Sequence, residues 1–94
     1  MVSGGPEEIL EEVGHVTHYF SIPQVAALEI TRGTLVPGDM IRFMGHTTDV
    51  TQVVVSMQME HQPIERASAG DLVGIQVGER VREHDIVYKV TPHS

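Results

Sequence analysis

The segment His46-Thr47-Thr48-Asp49, with Gln52 just beyond it, gathers imidazole, hydroxyl, carboxylate and amide groups into one short polar stretch. Such a stretch can present donors and acceptors to a ligand, an RNA backbone or a partner protein. It can equally be a turn in which Thr and Asp bond their own backbone. Six histidines raise a second chemistry, metal binding. His15 and His18 stand at i and i+3 of a β-type run, so they point to opposite faces unless a bulge intervenes. His46, Asp49 and His61 would meet only in the right hairpin register, and catalytic zinc needs three such ligands with an open position. No HExxH spacing is present. Glu60 and Glu65 suggest an acid–base pair, but that work needs two carboxylates roughly 5–9 Å apart around a substrate, and solvated charge at strand ends is the simpler account. Ser21, Ser56 and Ser68 have no nucleophile-elbow glycines around them. Arg80, Arg82 and Lys89 make a candidate basic patch for a phosphate or an acidic partner, provided the last hairpin places them on one surface. No catalytic residue, metal site or cofactor is expected.

The elements that must position these groups are strands. Two repeated turns, Pro37-Gly38-Asp39 and Ala69-Gly70-Asp71, each lead directly into alternating β-type sequence. Glycine permits a positive φ there, and aspartate can bond the backbone around it. Period-two patterning predicts strands over 13–19, 24–31, 40–44, 50–61, 72–77 and 85–90, with a short edge strand over 64–67. In the longest run, Val53, Val55, Met57 and Met59 are expected on one face and Gln52, Val54, Ser56, Gln58 and Glu60 on the other, with Gln62-Pro63 ending it. Residues 1–12 read as a flexible acidic arm, in which 6–12 could form one helical turn. Residues 13–91 read as a single domain and 92–94 as a tail. Many short strands separated by turn signals predict a sandwich or a barrel, and closure is the better expectation because it removes exposed edges.

Composition narrows the rest. Aromatics make up only 4% of the 94 residues and there is no Trp, so the core must rest on Val, Ile, Leu, Met and Ala. A core filled this way predicts a thin barrel without room for a bound cofactor. With no cysteine, disulfides, thiolate catalysis and iron–sulfur clusters are excluded. No apolar run approaches the roughly 20 residues of a membrane helix, so no membrane partner is expected, and the expected setting is the cytoplasm. The formal charge of −7 opposes non-specific nucleic-acid binding, and DNA is not an expected partner. Without Glu7, Glu8, Glu11 and Glu12 the charge falls to −3, which leaves room for a local basic patch.

The turns and strands together resemble the second domain of elongation factor Tu and related translational GTPases. The resemblance rests on Glu29-Ile30-Thr31-Arg32-Gly33-Thr34-Leu35, Pro37-Gly38-Asp39-Met40-Ile41 and Ala69-Gly70-Asp71-Leu72-Val73-Gly74-Ile75, and covers roughly residues 13–90. The chain is also similar to small stand-alone proteins of the translation elongation factor-like type, through GHTTDVTQ at 45–52, SMQMEH at 56–61 and VREHDIVYKV at 81–90. A similar barrel is appended to some collagenase-like peptidases. The resemblance implies a closed antiparallel β-barrel of six or seven strands. There is no GxxxxGK[ST] loop, hence no GTPase site, and Ile22-Pro23-Gln24-Val25 replaces the Gly-x-Gly segment often seen between the first two strands of the GTPase module.

The functional expectation is a monomeric, non-catalytic binding module that contacts RNA or a protein of translation or RNA metabolism. Its contact strip would be His46, Thr47, Thr48, Asp49, Gln52, Gln58, Glu60 and His61, beside the basic residues Arg80, Arg82 and Lys89. The alternative is a protein-only interaction module acting in trans on a GTPase or peptidase.

Overall fold

The computed structural model describes residues 7–93. They form β1 (Glu7–Phe20), β2 (Val25–Ile30), β3 (Thr34–Leu35), β4 (Met40–Met44), β5 (Asp49–Val53), β6 (Met57–Met59), β7 (Gln62–Ile64), β8 (Ala67–Ser68), β9 (Leu72–Gln76) and β10 (Ile86–His93). Eight of these make one antiparallel sheet in the order β5-β4-β10-β1-β2-β9-β6-β7, and β3 pairs with β8 in a separate ribbon. The sheet is curled, because strands near both of its ends feed one core: Val50 of β5 and Met57 of β6 join Leu28, Ile30, Ile41, Phe43, Ile75 and Val87. As composition requires, Phe43 is the one aromatic in that cluster and aliphatics fill the rest.

The expected closed barrel does not form. The sheet is open, with β5 and β7 as its edges. Its cause lies in the run from Val50 onward, which is not one strand. After β5 the chain turns to the loop before β4: Val54 N–H donates to Asp39 O at 2.8 Å and Gly38 N–H donates to Val54 O at 2.8 Å. These bonds add one rung to the β4–β5 pairing, and residues 54–56 then lie outside any strand. Across the resulting seam stands the Gln52 side chain, whose Nε2 donates to Gln76 O at 2.9 Å while its Oε1 accepts from Gly78 N–H at 3.2 Å. One amide side chain supplies the donor and acceptor that a peptide unit would supply in a closed ladder. Between Val54 and Met57 the alternation shifts by one residue, so both face the core. Val53 and Val55, expected inside with Met57, are 42% and 74% exposed, and Val54 is buried. The chain then reverses at Glu60-His61, and Gln62-Pro63, expected as a break, lies in the return strand β7, an edge position that tolerates proline.

The aspartate turn occurs three times. In 36–39, 68–71 and 82–85 the Oδ2 of Asp39, Asp71 and Asp85 accepts the N–H of Val36, Ser68 and Arg82 at 2.9, 2.8 and 2.8 Å. Each Asp N–H in turn donates to the carbonyl of that same residue at 3.1, 3.0 and 3.1 Å. The third residue has φ of 98° at Gly38, 98° at Gly70 and 75° at His84. The turns launch β4, β9 and β10.

Strand β1 begins earlier than expected. Glu7 to Glu12, read as an arm or helical turn, pairs in register with Tyr88 to His93. Thr91 and Val90 of β10 offer a ladder to the β-forming Ile9 and Leu10, while Glu8, Glu11 and Glu12 stay exposed. Residues 1–6, where the flexible start was expected, and Ser94 lie outside the described residues. Two bulges bend β1, one between Glu12 and Gly14 and one between Val16 and His18. At the first, a Cβ on Gly14 would collide with the Glu29 carbonyl oxygen, so only glycine fits.

Candidate functional site

The expected contact strip divides between two hairpins. His46, Thr47 and Thr48 form the β4–β5 turn, where Gly45 N–H donates to Thr48 O at 2.9 Å and Thr48 is buried. Asp49 is held by Arg42 in a bidentate pair, Nε to Oδ1 and Nη2 to Oδ2, both at 2.8 Å. The hydrogen bond from the guanidinium, with its charge, holds the Asp49 carboxyl below its ordinary range and raises Arg42 in return. Gln52 serves the seam. Gln58, Glu60 and His61 belong to the β6–β7 hairpin, and β6 stands seventh in the sheet order where β5 stands first.

The expected basic patch is not one patch. Lys89 Nζ sits 3.2 Å from Thr34 O and 3.3 Å from Asp39 Oδ2, in a cleft with Arg32, Glu11 and Glu12. Arg80 and Arg82 flank Val81 beside Tyr19 in another cleft. The bulge after Val16 leaves both His15 and His18 outside the core, each beside a carboxylate: His15 Nε2 is 3.5 Å from Glu29 and His18 Nδ1 is 3.2 Å from Glu83. Among the described residues no cluster of three His, Cys, Asp or Glu is placed to hold a metal ion.

What the register builds instead is a groove on the outer face of β1, β2, β9 and β6. Ala27 pairs with Gly74, and Gly74 with Gln58. The Ala27 methyl and the bare Gly74 backbone make a low floor, with Gln58 beside it. Phe20, paired with Val25, stands on one side of that floor, and Leu72, paired with Glu29, on the other. The Glu60-His61 turn bounds one end of this open groove, whose volume is about 240 Å³. Phe20 is 47% exposed and Leu72 61% exposed, and Ile22 in the neighbouring β1–β2 turn is 96% exposed. The His18 ring packs on Phe20 with centroids 4.4 Å apart and is held from behind by Glu83.

The end of the groove is strained. Glu60 and His61 bridge the Met59–Gln62 pair with φ of 53° and 66°, the two-residue turn for which Asn-Gly is the usual solution. An L-residue with positive φ costs roughly 1–2 kcal/mol. The groove went unread in the sequence because Ala27 and Gly74 are far apart along the chain and only the strand register makes them neighbours. Phe20 and Leu72 carried the available signal, as large apolar residues next to turns.

Residues 24–84 match the family model described as elongation factor Tu domain 2. An uncharacterized protease of Methanocaldococcus jannaschii is 38% identical over 78 residues, covering 82% of this chain and 19% of that protein. A collagenase of Porphyromonas gingivalis is 41% identical over 78 residues, covering 82% of this chain and 22% of that protein. The chain thus spans about a fifth of the length of the curated relatives it matches. Among solved structures, the C-terminal domain of a putative U32 peptidase of Geobacillus thermoleovorans superposes with a TM-score of 0.78 at 23% identity, over 84% of this chain and 91% of that one. GDP-bound aIF5B of Aeropyrum pernix superposes with a TM-score of 0.59 at 18% identity, over 89% of this chain and 14% of that one. At these identities the two structures bear on fold alone.

Proposed function

This chain belongs to the elongation factor Tu domain 2 family, and from that membership we propose that it is a non-catalytic interaction module that docks on a peptidase-type protein. The observation that carries this reading is a coincidence of extent. The segment shared with proteins named as a protease and a collagenase is only about a fifth of each, and the fold matches a domain that lies at the C-terminus of a putative U32 peptidase. We read a segment of that kind as an accessory to the rest of such a protein. The outer groove supplies a docking face: Phe20 and Leu72 are already about half buried, so covering what remains would contribute about 1–2 kcal/mol each, against the cost of association. Contact with RNA is the second reading, and its support is confined to Arg80 and Arg82 beside Tyr19.

Calorimetric titration with a U32 peptidase whose own C-terminal domain has been removed tests the proposal. The expected result is one-to-one binding that weakens less than about tenfold between 50 and 200 mM salt, whereas a contact with many phosphates would lose about 10³–10⁵ over that range. Absence of binding, or steeply salt-dependent binding to an acceptor-stem RNA in its place, contradicts it.

A further inference from the structure

Resting on that docking reading, we propose that the Phe20–Leu72 groove is an anchor pocket for one large apolar side chain carried in an extended, positively charged segment of the partner protein. About 240 Å³ is the scale of a single side chain, below the roughly 300–1,000 Å³ of a pocket for a small-molecule ligand. The floor is already as low as the sheet allows: a Cβ on Gly74 would press within 3.3 Å of Val25 Cγ1. The apolar walls meet water in the free protein, the state in which an anchor gains most from being buried.

The charge around the groove selects the flanks. No Lys or Arg lines it. Glu60 lies at its rim, with no cationic group within 4.0 Å among the described residues. Outside the lining, Glu29 stands opposite Leu72 and Glu83 behind His18, and among the described residues their ion-pair partners are His15 and His18. A carboxylate at the rim of an apolar groove, with no Lys or Arg lining it, is complementary to a Lys- or Arg-flanked apolar residue and disfavours phosphate and acidic peptide. The strained Glu60-His61 turn points the same way, because a glycine turn would hold the hairpin at lower cost but would not place a carboxylate at the rim.

Labelled protein titrated with the amidated, acetylated tripeptides Lys-Phe-Arg, Lys-Ser-Arg and Glu-Phe-Glu, followed by amide NMR, tests this. Saturable shifts at Phe20, Ala27, His61, Leu72 and Gly74 with Lys-Phe-Arg, at a Kd of about 1 mM, are expected, with the other two peptides at least about fivefold weaker. Gly74→Val should remove the shifts by filling the floor. The double variant Glu60→Asn with His61→Gly should raise the melting temperature while weakening Lys-Phe-Arg at least about fivefold, a combination that misfolding cannot produce. Equal binding of Glu-Phe-Glu, or shifts that survive Gly74→Val, overturns the proposal. Binding of the truncated peptidase that neither variant disturbs also overturns the anchor pocket, while the docking module stands. Tripeptide binding without any binding of the peptidase sustains the pocket and removes the peptidase as its partner.

Discussion

His84 holds the place that glycine holds in the two other aspartate turns, and it pays a conformational penalty there. His84→Gly is therefore expected to stabilise the fold by about 1 kcal/mol, a rise of roughly 4–8 °C in melting temperature for a domain of this size. Gly70→Ala should lose about as much. Nothing lies within 4 Å of a Cβ built at Gly70, so that loss would report backbone conformation alone. Differential scanning calorimetry of the two variants checks both signs. The Arg42–Asp49 pair makes a different kind of prediction. Because Asp49 titrates below its ordinary range in the fold, its contribution is complete above the unfolded carboxylate pKa and is lost as pH falls through the lowered folded value. Asp49→Asn should lower the melting temperature slightly at pH 7, by the small amount expected for an exposed pair, and its difference from the parent protein should vanish as pH falls from about 5 to 2.

Among elements, the strands that alternate cleanly were legible and those that change phase were not. β4 spans Met40–Met44 and β2 and β9 fall within a residue or two of expectation, because Ile41, Phe43, Leu28, Ile30, Val73 and Ile75 alternate with residues left on the outer face. The run after Val50 misled because valines occupy both phases, so pattern alone could not show that the strand ends and the phase changes between Val54 and Met57. The third aspartate turn was hidden by a histidine in the glycine place, and the pairing of Glu7 to Glu12 by acidic side chains that suggested an arm. Closure failed for a reason no propensity encodes: a side chain, Gln52, occupies the seam. Gln52→Ala should cost about 1 kcal/mol and speed hydrogen exchange at Gly78 N–H, while exchange in β1 and β10 stays close to the parent's. Unchanged exchange at Gly78 would show that the seam is held by packing instead.

At the scale of the whole molecule, the residues with the most varied chemistry are engaged in holding the fold. Asp39, Asp71 and Asp85 bind turns, Gln52 spans the seam, Lys89 ties β10 to Asp39, and Asp49 is paired with Arg42. A surface not so engaged is the outer face of β1, β2, β9 and β6, where large apolar side chains stand over a floor of Ala27 and Gly74 and the Glu60 carboxylate stands at the rim. That distribution suits recognition of another protein better than turnover of a substrate, and it agrees with the company the segment keeps in longer relatives. The most direct measurement is an amide NMR map of the labelled protein bound to the truncated U32 peptidase. The account predicts that signals of Phe20, Ala27, His61, Leu72 and Gly74 broaden or shift together, while those of His46, Thr47, Arg80 and Arg82 do not. A map centred on the β4–β5 turn or on Arg80 and Arg82, or no change anywhere, would contradict it.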